Sequence, residues 1–117
     1  MDDKKIREMA ILAAEAADDK KATDIVILDV RSLTTIADYF VLCNGNSELQ
    51  VKAIVDSVED KLAEKGLYPQ NIAGKEGSRW VLMDYADVIV HVFHKEDREY
   101  YELDRLWGDA EKILVNS

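Results

Sequence analysis

Cysteine, proline and positive charge are all scarce in this chain of 117 residues. Cys43 is the only cysteine. It lies inside the apolar run Tyr39–Cys43, which excludes an internal disulfide and a multi-cysteine metal centre and suits a reducing cytosol. A structural thiol is the simpler reading there than a nucleophile. Pro69 is the only proline and there are five glycines, so long elements with short connections are expected. No apolar stretch approaches the roughly 20 residues of a membrane span. The opening MDDKKIREMA is charged and carries no segment of secretory type. The expectation is a soluble cytoplasmic protein with no membrane partner. Fifteen bases face 24 acids, a net charge of −9. Phosphate backbones repel such a chain, so little direct RNA contact is expected and a basic protein is the better partner. Plain solubility is the competing explanation of the charge.

What is present reads as one folded domain over residues 1–117, because hydrophobic residues make up 48% of the chain. Ile6, Met9, Ala10, Ala13, Ala14 and Ala17 recur at three- and four-residue steps, which predicts a helix capped by Asp2 or Asp3. Asp24–Val30 and Tyr39–Cys43 predict strands covered on both faces. Ser47 with Gln50 forms a capping box ahead of the stripe Val51, Ile54, Val55, Val58 and Leu62, and Gly66 is the expected left-handed stop. At most one short strand fits between Leu67 and Ser78. Arg79–Asp84 and Asp87–Phe93 read as a hairpin. Residues 95–114 read as helix with a break at Gly108. The fold class is therefore α/β (α+β), with a mixed, roughly five-stranded sheet flanked by helices.

Three groups of residues could carry chemistry. His91 and His94 are the only histidines, but on a strand they point to opposite faces, which argues against a shared metal. The turn Gly45-Asn46-Ser47 joins a strand to a helix, where backbone N–H groups can cradle a phosphate. Nucleotidyltransferases use such a turn together with two metal-holding carboxylates on the next strand. Here the next segment is helical, and no strand carries Asp-x-Asp or Asp-x-Glu. The pattern is nucleotidyltransferase-like without the catalytic carboxylates, so no catalytic residue, cofactor or metal is expected. The third group is acidic and aromatic. Tyr100, Tyr101, Leu103, Leu106 and Trp107 follow Glu96 and Asp97, and Trp80 shares a strand face with Leu82 and Asp84. Apolar anchors with an acidic rim suit a protein-docking patch, while core packing is the alternative for each aromatic.

DIVILDV, ADYFVLCNGNS and RWVLMDYADVIVHVFHKEDREYYELDRLW together resemble the Iojap family, the bacterial ribosomal silencing factors. The most specific part is Trp80, Asp84, Asp87-Val-Ile-Val-His91, Arg98, Tyr101, Leu103 and Leu106-Trp107. LDRLW stands where the family often has LERLW, which keeps the charge. The resemblance implies a translational repressor, not an enzyme. It would bind the large ribosomal subunit through ribosomal protein fourteen and sterically block the small subunit under nutrient limitation. On this reading Trp80, beside Leu82, is an apolar anchor whose ring is largely exposed in the free protein. Asp84, Glu96, Asp97 and Glu102 are acidic contacts. His91, Arg98 and Tyr101 either touch the partner or orient the residues that do. A homodimer of the free protein stays open. The alternatives are a divergent nucleotidyltransferase or nucleotide-binding protein using Gly45-Asn46-Ser47, and an acidic adaptor for another basic protein.

Overall fold

The computed structural model describes residues 2–77, 79–97, 108 and 110–114. The elements run α1 (Asp3–Asp19), β1 (Thr23–Asp29), β2 (Tyr39–Gly45), α2 (Glu48–Ala63), β3 (Asn71–Ala73), β4 (Trp80–Asp84), β5 (Val88–His94) and β6 (Glu111–Leu114). All six strands form one sheet in the order β3-β4-β5-β2-β1-β6. The β2–β5 pair is parallel and every other pair is antiparallel, so the sheet is mixed, as expected. The parallel pair requires the long crossover through α2, β3 and β4.

Both helices pack on one face. Their apolar stripes join Ile27, Val41, Cys43, Val81, Met83, Val88, Val90 and Val92 in the larger core cluster. The alanines of α1 permit this close approach, with Ala10, Ala13, Ala14, Ala16 and Ala17 all fully buried. Two side chains tie the helices together. Ser57 Oγ donates to the Ala16 carbonyl at 2.9 Å, and Gln50 Nε2 donates to the Lys20 and Lys21 carbonyls, each at 3.1 Å. The opposite face holds a second cluster of Leu28, Val30, Ala37, Phe40, Leu42, Ile89, Phe93 and Ala110, with Val26, Trp80 and Leu82 packed against it. Period-two alternation along β4 and β5 accounts for this division: Val81 and Met83 face the helices, Trp80 and Leu82 face away.

The helix caps follow the sequence closely. Asp2 accepts from the Lys5 N–H at 2.9 Å, and Ser47 Oγ accepts from the Gln50 N–H at 3.1 Å. Gln50 reaches back one residue beyond the cap, where its Oε1 accepts from Asn46 N at 2.6 Å. Gly66 has φ +76°, and the Leu67 N–H closes onto the Leu62 carbonyl. The C-terminal expectation fails in part. Residues 95–97 are helical, but Glu111–Leu114 is not: it is β6, an edge strand paired with Val26–Asp29 of β1. The open edge of β1 supplies ladder partners that local propensity does not reveal. Residues 98–107 of the expected helix lie outside the described residues, Arg98, Tyr101, Glu102 and Trp107 among them.

Candidate functional site

The β4–β5 hairpin brings the surface together. Its register pairs Trp80 with Phe93, Leu82 with His91 and Asp84 with Ile89. One further step sets Arg79 beside His94, whose N–H donates to the Arg79 carbonyl at 2.7 Å. Trp80 stacks on its cross-strand partner Phe93, with centroids 5.2 Å apart and planes 22° from parallel. Its diagonal neighbour is His91, and Trp80 Nε1 donates to His91 Nδ1 at 3.2 Å. Phe40 of β2 meets the imidazole edge-on at 5.2 Å. Trp80 is therefore half-buried and held on two sides, so the expectation of a largely exposed ring is not met. Cross-strand stacking is the physical reason.

His91 is only 6% exposed. Burial lowers its pKa from 6.5 to about 4, so it is neutral at physiological pH. A neutral imidazole that accepts at Nδ1 carries its proton on Nε2. That buried Nε2 has no hydrogen-bond partner among the described residues. His94, also buried, alternates to the opposite face of β5, and its Nδ1 accepts from the Glu96 N–H at 3.3 Å. The two rings do not converge. Among the described residues no cluster of three His, Cys, Asp or Glu side chains could hold a metal ion.

The acidic residues divide by position. Glu96 and Asp97 follow β5 directly, at the Trp80 end of the hairpin. Arg79 pins both, with Nη2 at 2.7 Å from Asp97 Oδ1 and 3.2 Å from Glu96 Oε2, and Nε at 3.2 Å from Asp97 Oδ2. These bonds, Asp97 first, raise the Arg79 pKa. The Asp97 side chain is 23% exposed and that of Glu96 is 74% exposed, so Glu96 has the freer face. Asp84 stands apart, at the far end of β4, about 13 Å along the strand at the usual rise per residue. Its Oδ1 accepts from the Ala86 N–H at 2.8 Å and braces the hairpin turn. Arg79, Phe93 and Phe40 are the residues that sequence reasoning missed. The hairpin register would have found the first two, since Trp80 opposite Phe93 puts Arg79 opposite His94.

The Gly45-Asn46-Ser47 turn has a packing explanation. A Cβ on Gly45 would lie 2.9 Å from both the N and the Cγ2 of Val51, so glycine is needed where β2 hands over to α2. The Asn46 and Gln50 N–H groups are already engaged by side chains of the same turn. A phosphate would have to compete for both.

Comparison with known proteins gives the family. Residues 3–117 match the family model described as "Ribosomal silencing factor during starvation". The ribosomal silencing factor RsfS of Bacillus subtilis is 50% identical over 99 residues, which cover 85% of this chain and 84% of that protein. The chloroplastic protein Iojap of Zea mays is 33% identical over 112 residues, 96% of this chain and 49% of that one. A crystal structure of a Chromobacterium violaceum protein superposes with a TM-score of 0.87 at 38% identity, covering 100% of this chain and 95% of that one. With its sequence matched almost from end to end, the chain belongs to the family of ribosomal silencing factors.

Proposed function

We propose that this protein represses translation in the cytoplasm by occupying the large ribosomal subunit through ribosomal protein fourteen. From there it excludes the small subunit when nutrients are short. The observation that carries the docking surface is Trp80, a half-buried aromatic held between Phe93 and His91 at the end of the hairpin from which the exposed side chain of Glu96 follows in sequence. Buried aromatic anchors ringed by charge dominate the energetics of protein interfaces. Leu82 lies on the same face of β4, and Glu96 is the acidic contact. Asp97 and Asp84 act mainly within the chain, one holding Arg79 and the other the turn. Arg98, Tyr101 and Glu102 continue the sequence from this end and complete the proposed contact set. Residues 1–117 act as one domain. The mechanism is occupancy, with nothing turned over.

The test is Trp80→Ala, with affinity for purified large subunits and melting temperature measured on the same preparation. Loss of a hot-spot aromatic should weaken binding roughly 30- to 1000-fold. Because the ring is half-buried, stability should also fall, by about 1–3 kcal/mol, less than for a fully buried aromatic. Normal binding by a folded but less stable variant would return Trp80 to a purely structural role. Inhibition of subunit joining should fall in step with affinity.

A further inference from the structure

We infer that His91 is a positioning residue for docking, its Nδ1 holding the Trp80 indole in the orientation the partner engages. The inference rests on the reading of Trp80 as the anchor and assigns His91 the orienting role rather than the touching one.

Three observations carry it. First, the imidazole is too enclosed to meet a partner, being 6% exposed, while the indole it contacts is half-buried and reaches the surface. Second, the hydrogen bond runs in one direction. Trp80 Nε1 can only donate, so His91 Nδ1 must accept, which fixes the tautomer with the proton on Nε2. Third, this arrangement has a cost. The Nε2–H is buried without a partner among the described residues, a state that disfavours folding. An apolar ring at position 91 would avoid that cost and could still pack between Phe40 and Phe93. Only the acceptor at Nδ1 distinguishes histidine from such a ring here. Stacking on Phe93 fixes the plane of the indole, and the bond to His91 fixes its rotation within that plane. Together they present one edge of the ring outward before binding, so ordering it in the complex costs little further entropy.

The experiment compares wild type, His91→Phe, Trp80→Ala and the double variant, reading large-subunit affinity and melting temperature. His91→Phe should weaken binding about three- to tenfold, the worth of one hydrogen bond. Its melting temperature should change little, because losing the orphaned Nε2–H offsets the lost acceptor of the Trp80 Nε1–H, which sits on a ring that reaches the surface. Loss of affinity without loss of stability is what a merely structural histidine would not produce. In the Trp80→Ala background, His91→Phe should have no further effect on affinity. Wild-type affinity of folded His91→Phe beside a weak Trp80→Ala overturns the positioning role and leaves the anchor standing. Wild-type affinity of Trp80→Ala overturns the anchor reading itself. If His91→Phe does not fold, His91→Asn and His91→Gln decide. The shorter amide sets its oxygen near Nδ1 and the longer one near Nε2. Asn binding better than Gln supports the inference, and equal binding by the two overturns it.

Discussion

Two buried side chains carry polar atoms with no partner among the described residues, His91 Nε2 and the Tyr85 hydroxyl. Their consequences for stability differ. His91 titrates near 6.5 when unfolded and near 4 when folded, because burial disfavours its cation. Between those values the unfolded chain binds more protons than the folded one, so stability falls as pH drops from 6.5 towards 4. The gap corresponds to about 3 kcal/mol. Urea unfolding of wild type and His91→Phe at pH 7 and pH 4.5 should show a steeper loss for wild type, and equal losses would refute the assignment. Burial likewise pushes the Tyr85 hydroxyl up to about 12. Tyr85→Phe removes a desolvated hydroxyl without emptying the site. It should leave stability unchanged or raise it by up to about 1 kcal/mol. A loss of 2 kcal/mol or more by denaturant midpoint would show that the hydroxyl is satisfied after all.

The two long helices end in the same way with different residues. At the end of α1 the Ala22 N–H bonds to Ala17 O and the Lys21 N–H to Asp18 O, with Lys21 at φ +62°. After α2 the Leu67 and Gly66 N–H groups bond to Leu62 O and Ala63 O, with Gly66 at φ +76°. Both are Schellman closures, which favour glycine at the left-handed position. Lys21→Gly should therefore stabilise the protein by about 1 kcal/mol, and Gly66→Ala should destabilise it by a similar amount. A fall in melting temperature for Lys21→Gly would contradict the backbone argument. Gly45→Ala acts by a different route. Its added Cβ meets the start of α2 rather than a forbidden φ, so α2 must shift away from β2. Thermal unfolding should show a loss of about 1–3 kcal/mol by overpacking, and the variant should gain no nucleotide dependence.

The net charge of −9 bears on the molecule as a whole. It favours a basic protein surface on the ribosome over exposed RNA, since RNA binding depends on neutralising phosphates with Lys and Arg. The protein should co-sediment with purified large subunits and not with protein-free ribosomal RNA at the same moderate salt. Tight binding to the naked RNA would remove the basis for a protein-directed docking surface. Raising salt should slow association with the subunit, because opposite charges steer the encounter and salt screens them.

The sequence by itself determined the elements whose periodicity is strong and whose ends are marked. The stripe from Ile6 to Ala17, the Ser47–Gln50 cap, the stop at Gly66 and the valine-rich strands each act through local geometry, which needs no knowledge of distant neighbours. Alternation along Val88–His94 likewise separated the two histidines. The acidic balance pointed to a basic protein partner, and the family resemblance carried most specifically by the pattern from Trp80 to Trp107 implied a ribosome-associated one. Only the tertiary structure decided which partners these residues meet. Glu111–Leu114 is a strand because β1 has an open edge, a fact about the sheet and not about those four residues. Asp97 answers to Arg79 and Asp84 to the hairpin turn, although both read as free acidic contacts in the sequence. His91 and Trp80 face one another because the register of β4 against β5 makes them diagonal neighbours. Burial, cross-strand register and the direction of a hydrogen bond are properties of chains brought together, and they gave this row of candidate contact residues its internal partners.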